Sequence, residues 1–250
     1  MSEPYVKIDI ESEVGYIEFF HPAHNSLPGD ILAKLAQTIT DAGNNDAIKV
    51  IVLKSGKDRT FCAGASFKEL VNISDEKTGS VFFSGFANVI NAMRKCPKFI
   101  IGRIQGKTVG GGVGLAASTD YCMASKFAYI KLSELNIGIG PFVVGPAIER
   151  KIGLSGMSQI AIDANSFYPA EWAKQKGLYT HVFESNEELD EAVKTTAEHL
   201  CTYNTEAMKE MKSVFWKGTE DWDSLLAERA QISGRLVLSE FTKEKLKGFK

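Results

Sequence analysis

The stretch QGKTVGGGVGLAASTDY, Gln105 to Tyr121, carries Gly106, Gly110, Gly111, Gly112 and Gly114. Glycines gathered at one turn imply that something approaches the backbone closely. Three chemistries use such a turn. A phosphate loop would take Gly102 with Gly106-Lys107-Thr108, directly after the strand-like FIIGRI. That motif needs four residues before its Gly-Lys pair and only three are present, and no aspartate closing an apolar strand offers a magnesium ligand. A dinucleotide site would take Gly112, Gly114 and Ala117, with Glu134 downstream. Such a turn must follow the first strand at once, yet QGKTVG intervenes and two strands and two helices come earlier. The third chemistry is an amide pocket at a helix start, where backbone N–H groups and the helix dipole meet an oxygen that gains negative charge, such as a thioester carbonyl becoming an enolate. A second donor for that pocket is offered by RTFCAGASFKEL: a strand, then Ala63-Gly64-Ala65, then a helix from about Ser66. Taken singly, each turn reads more simply as a tight turn.

The elements around these turns follow from hydrophobic period. YVKIDIE and VGYIEFF alternate around SEVG and predict a hairpin. Ile31, Leu32, Leu35 and Ile39 recur at helical spacing. IKVIVLKSG reads as a buried strand, VFFSGFANVINAMRK as a helix ended by Pro97, and FIIGRI as a strand. After the glycine stretch come a short helix and the strands YCMAS and AYIKL. From FVVGPAIERKIG onward the segments are helical, apart from LYTHVFE. The pattern is an α/β core with a helical tail, divided here as residues 1–195 and 196–250.

Composition excludes several classes. Of 250 residues 44% are hydrophobic and 24% charged, ordinary for a globular chain, and a net charge of −2 gives no general attraction to nucleic acid or an anionic membrane. The first residues lack the basic start and apolar core of a signal peptide, and no run of about 18 apolar residues exists, so a cytoplasmic location is expected. Cys62, Cys96, Cys122 and Cys201 form no C-x-x-C pair and are expected to be buried apolar side chains in a metal-free protein. His21 and His24 fall in the loop after the second strand, His181 in a strand, His199 in the helical tail; Tyr121 and Tyr129 fall on strands. Structural or surface roles are the plainer reading of all six.

Together, FCAGASFKEL and IQGKTVGGGVGLAASTDYCMASKFAYIKLSELNIGIGP resemble the two signatures of the crotonase superfamily, the enoyl-CoA hydratase/isomerase fold. The similarity runs from the hairpin and HNSL to the helical tail. It implies a spiral of ββα units, a helical C-terminal region that builds homotrimers or hexamers, an acyl-CoA thioester substrate, and no cofactor beyond the coenzyme A of that substrate. Carried over, the amides of Ala65 and Gly111 form the oxyanion pocket, with Ala63 and Gly110 beside them. Lys68 is expected near the nucleotide end of CoA. Pro141, Phe142 and Val143 stand where many relatives have a glycine-rich turn, and would narrow the acyl pocket. The resemblance places Phe241, Lys243 and Lys245 in a region that often reaches a neighbour's CoA, although a solvated terminal helix is the plainer reading.

Family hydratases use two glutamates around one water. Glu134, in LSELNIG, matches the second; the first should stand at Gly114, which carries no acid. Ser66 replaces the usual aspartate, and both residue types cap helices. One carboxylate suffices to move a proton from C2 to C4, as in a Δ3,Δ2-enoyl-CoA isomerase. Hydration with one glutamate needs a helper. LSELNIGIGPFVVGPAIERKIG is most similar to a bacterial branch of 3-methylglutaconyl-CoA hydratases, where the substrate's distal carboxylate would assist. Hydration is therefore the leading expectation and isomerisation the second. Decarboxylation through the same enolate, or acyl-CoA binding without turnover, stands behind both.

Overall fold

The computed structural model describes residues 3–57 and 59–247. Strands β1 (Tyr5–Glu11) and β2 (Val14–Phe20) form the expected antiparallel hairpin, in register from Tyr5 opposite Phe20 to Glu11 opposite Val14. Ser12 and Glu13 turn it with φ of 50° and 65°, the left-handed pair that suits the twist of a two-residue hairpin. Helix α1 (Gly29–Asn44) follows.

A strand–strand–helix unit then repeats. The first holds β3 (Val50–Ser55), β4 (Thr60–Cys62), α2 (Phe67–Leu70) and α3 (Glu76–Lys95). The second holds β5 (Ile100–Ile104), β6 (Lys107–Val109) and α4 (Gly111–Ser118). The third holds β7 (Tyr121–Ser125), β8 (Ile130–Lys131), a 3-10 turn at Glu134–Ile137 and α5 (Gly145–Ile162). Helix α6 (Ala170–Gln175) leads to β9 (His181–Phe183). The first strand of each unit joins a six-stranded sheet, order β1-β2-β3-β5-β7-β9, and the second joins a three-stranded sheet, order β4-β6-β8. Every pairing after the hairpin is parallel. This is the ββα spiral that the resemblance implies.

Two differences from the sequence reading concern short strands. Lys107–Val109 is a strand inside the glycine stretch, and AYIKL contributes only Ile130–Lys131. Elements of two or three residues are too short to display a period of two.

The run VIVL is apolar throughout because β3 is covered on both faces. Ile51 and Leu53 join the main core with Ile17, Phe19, Leu35, Phe61 and Ile90. Val50 and Val52 face the other way, onto Leu189, Val193 and Ala197 of helix α7 (Asn186–Cys201). Helix α7 runs through position 195/196, where the sequence reading divides the chain. Helices α8 (Thr205–Phe215), α9 (Trp222–Leu236) and α10 (Glu240–Lys247) complete the described chain; the last three residues of the expected helical region lie outside it. All four cysteines are free and buried. Among the described residues no helix is long and apolar enough to cross a membrane.

The tail is pinned to the core at two places. Lys212 of α8 reaches Asp120 Oδ2 at 2.9 Å and the carbonyl oxygen of Lys98 at 2.7 Å. Asp120 also accepts from Trp216 Nε1 at 2.9 Å and from the Ile100 N–H at 2.8 Å, so this buried pair has its hydrogen-bonding capacity used. Farther along, α9 crosses α3 backbone to backbone. A Cβ on Gly234 would lie 2.7 Å from Ser80 N, and one on Gly79 would lie 2.8 Å from Gly234 Cα.

A mid-helix glycine ordinarily costs about 1 kcal/mol relative to alanine. Gly234→Ala is nevertheless expected to destabilise the protein, by about 1–3 kcal/mol, because the added methyl has no space. Urea unfolding reads this directly. An unchanged or raised midpoint would show that the two helices separate freely.

Candidate active site

Parallel pairing of β4 with β6 sets the two glycine turns side by side. Gly64 has φ of +90°, and a Cβ there would lie 3.3 Å from Val109 O and 3.7 Å from Gly111 N. Gly110 has φ of +54°, and its Cβ would lie 2.9 Å from Glu134 Oε1. A Cβ on Gly111 would enter the Phe86 ring, and one on Gly112 would meet Cys62 Cβ and O at 2.7 Å. Each of these three glycines answers a different neighbour. A side chain at any of them would separate α4 from Glu134, from α3 or from β4.

The N–H groups are left free by the same geometry. Leu27 bridges this loop through its N–H to Gly64 O at 2.8 Å and through its carbonyl to the Ser66 N–H at 2.9 Å. The Ala65 N–H lies outside that bridge, and it donates to no acceptor among the described residues. Gly111 opens α4, where the first N–H groups have no intrahelical acceptor. Asn25, 2% exposed, anchors the adjoining loop: its Nδ2 donates to Gly56 O and Thr60 O, both at 2.9 Å, and its carbonyl accepts from the Ala63 N–H at 3.2 Å. Ser66 caps α2, its Oγ accepting from the Glu69 N–H at 3.3 Å, as its type predicts.

Glu134 begins the 3-10 turn and points at Gly110. The residue keeps some surface toward the cavity, whereas its Oε2 is buried with no hydrogen-bond partner. Burial pushes its carboxyl up to about 7, opposed only in part by the backbone N–H groups of Glu134 and Ser133. No cation pairs with it among the described residues.

These groups open on one cavity of about 360 Å³ that includes Ala63, Ala65, Gly110, Gly111, Glu134, Pro141 and Phe142 in its wall. The structure thus gathers seven of the nine site residues expected from the sequence. Lys68 is exposed on α2 and outside that wall. Gly114 is buried behind it: a Cβ at Gly114 would lie 2.5 Å from Val144 Cγ1, so the valine fills the space into which a glutamate there would project. Val144 itself lines the cavity. The sequence reading also passes over Phe82, Phe83 and Phe86, which line the cavity from α3, and Ser233, which lines it from α9. The run VFFSGF, aromatic at positions three and four apart on a helix, is the signal for the first three. His21 and His24 border a separate cleft with Lys57 and Arg59; His181 Nε2 lies 3.0 Å from the Tyr121 hydroxyl.

The raised carboxyl has a consequence for stability. Between about 4.5 and about 7 the folded protein holds a proton that the unfolded chain has released, so stability falls as pH rises through that window. Glu134→Gln removes this cost. Its unfolding free energy should exceed that of the natural protein at pH 8, by up to about 3 kcal/mol, and match it near pH 4. Equal differences at both pH values, measured by urea unfolding, would mean that the carboxyl is not desolvated.

Comparison with known proteins places this arrangement. The sequence profile described as enoyl-CoA hydratase/isomerase matches residues 9–249. The chain is 32% identical over 169 residues to the mitochondrial methylglutaconyl-CoA hydratase of Homo sapiens, covering 67% of this chain but only 49% of that protein. It is 27% identical over 231 residues to the peroxisomal Delta(3,5)-Delta(2,4)-dienoyl-CoA isomerase of Arabidopsis thaliana, covering 86% of this chain and 81% of that one. The crystal structure of an enoyl-CoA hydratase from Bacillus halodurans superposes with a TM-score of 0.90 at 21% identity, over 98% of this chain and 99% of that chain, which establishes the shared fold. With the profile spanning nearly its whole length, the chain belongs to the enoyl-CoA hydratase/isomerase family of the crotonase superfamily.

Proposed function

We propose that this protein shifts the double bond of an enoyl-CoA thioester from C3 to C2 by proton transfer through a single carboxylate. The observation that carries this reading is the cavity wall, where Glu134 is the one acidic residue among the described residues and Val144 fills the space beside Gly114. In this mechanism the thioester oxygen sits between the N–H groups of Ala65 and Gly111. Ionised Glu134 removes a proton from C2, the electron pair moves onto the oxygen, and the resulting dienolate is held by two donors worth about 3 kcal/mol each. Protonated Glu134 then returns the proton at C4, leaving the double bond between C2 and C3. A carboxyl near neutrality serves both strokes, since it is neither too weak a base nor too weak an acid. Ala63, Gly110, Pro141 and Phe142 shape the space around the reacting carbons.

The acyl tail in this reading is uncharged. Phe67, Leu70, Phe82, Phe83, Ile137 and Ile139 contribute apolar wall, and Lys131, the one cation there, is bound through Nζ to Asn165 O at 2.9 Å. A dicarboxylic tail would bring its second charge into a mostly apolar wall, where Lys131 is the cation that could meet it. The sequence reading favours such a substrate, 3-methylglutaconyl-CoA, whose second carboxylate would have to reach Lys131. A second reading, hydration with Glu134 both holding water and returning its proton, is favoured by the similarity to methylglutaconyl-CoA hydratase.

Proton NMR in D₂O with 3-hexenoyl-CoA, crotonyl-CoA and 3-methylglutaconyl-CoA, offered separately, tests both. The expected result is migration of the double bond in the first and no 3-hydroxyacyl product from the others. Glu134→Gln should lower the rate by about 10²- to 10⁴-fold, and the natural protein should lose activity below about pH 7 as its base takes up a proton. A 3-hydroxyacyl product would overturn the isomerase in favour of hydration. Tight binding without conversion would make the chain an acyl-CoA binder.

A further inference from the structure

We propose that α10 is a positioning element for the active-site carboxylate, with Thr242 and Phe241 holding the Glu134 turn in place through Gly138. Gly138 ends the 3-10 turn with φ of +81°, and a Cβ there would lie 2.6 Å from Thr242 Oγ1 and 2.6 Å from Phe241 Cδ1. The turn is short and closed on itself. The Gly138 N–H donates to the carbonyl of Leu135 at 3.1 Å, and the Ile139 N–H donates to the carbonyl of Glu134 itself at 3.1 Å. A shift at Gly138 therefore travels through two hydrogen bonds to the backbone that carries the carboxylate. The opposite side of the turn is fixed by Asn136 Nδ2, which donates to Ala164 O at 2.8 Å.

Thr242 is built for this contact. It is 0% exposed on an otherwise polar helix, and α10 buries only Thr242 and Leu246, one turn apart. Its hydroxyl donates to Leu236 O at 3.2 Å, at the end of α9, and accepts from Ser239 Oγ at 3.0 Å, at the start of α10. One side chain thus joins two tail helices and meets the active-site turn. Leu246 and Val237 extend the contact onto Ile139, with Ile137 and Phe67 packed against them. The sequence reading leaves Phe241 on a solvated terminal helix or near a neighbour's CoA; its ring lies on Gly138 of its own chain. Glu240, Lys243, Glu244, Lys245 and Lys247 of α10 are all exposed, and Lys131 is the charged neighbour on the cavity wall. Replacing Thr242 consequently changes the solvation of Glu134 without removing a charge beside it.

The inference rests on Glu134 being the reacting carboxylate, whichever reaction it performs. Its test reads that carboxylate directly. The full-length protein is labelled with ¹³C at glutamate Cδ, the Glu134 signal is assigned by its loss in Glu134→Gln, and the titration is compared in Thr242→Ala, Thr242→Ser and Phe241→Ala. Thr242→Ala should move the midpoint down from about 7 toward the ordinary carboxylate range as water enters, and should lower kcat about ten- to a hundredfold with KM within about twofold. Thr242→Ser, which keeps the hydroxyl, should restore both. Should Thr242→Ala fail to fold, Phe241→Ala carries the same expectation, because that side chain is largely exposed. An unchanged midpoint and kcat in folded Thr242→Ala and Phe241→Ala, whatever their thermal stability, would overturn the proposal, as would a serine variant that behaves like alanine. A shifted midpoint in a protein that converts no enoyl thioester would count against the proposed reaction and leave the brace standing.

Discussion

The site depends on close packing at the start of α4. Gly110, Gly111 and Gly112 bring one helix end against Glu134, Phe86 and Cys62 with no space for a single added carbon. Those three neighbours belong to the 3-10 turn, to α3 and to β4, so the first and third units of the spiral converge on three consecutive residues of the second. The convergence fixes the distance between the Ala65 loop and Gly111, and thereby the two bare amides. A helix end is the natural place for such donors, because its first N–H groups lack acceptors and its dipole favours negative charge.

The same packing raises the Glu134 carboxyl to about 7, at a cost. Glu134 lies against backbone and apolar side chains with one oxygen unpartnered, an arrangement that destabilises its charged form and the folded state above neutral pH. Perturbed acids of this kind gather where a fold is built for chemistry. Holding an uncompensated carboxyl in place requires support from elsewhere in the chain. Asn136 and the tail helices supply it, and the tail is itself tied down by the Gly79–Gly234 crossing and the buried Asp120–Lys212 pair.

Much of this was legible in the sequence because it is local. The hairpin, α1 and α3 announce themselves by period, the buried strands IVL and IIGRI by short apolar runs, and the two donor loops by glycines placed between strand and helix. What was not legible depends on contacts between distant residues. Gly114 reads as an acid that is missing; only the packing shows that Val144, thirty positions on, occupies the space. Nothing in EFTKEKLK announces that Phe241 approaches Gly138, a glycine whose left-handed backbone admits it. Lys68, expected near the nucleotide end of CoA or as a solvated helix charge, is exposed on α2, and its sequence does not mark where the cavity wall ends. Strands of two or three residues are set by their neighbours in the sheet, so no pattern in their own sequence marks them.

In the proposed reaction the Ala65 and Gly111 amides polarise a thioester carbonyl. Infrared difference spectroscopy of a 2-enoyl-CoA labelled with ¹³C at its carbonyl, bound to the Glu134→Gln variant so that it persists, tests this most directly. The account predicts a carbonyl stretch at lower frequency bound than free, because two hydrogen bonds draw charge onto the oxygen. A stretch at the free frequency would mean that the two amides do not hold that oxygen, and the assignment of this site would fall.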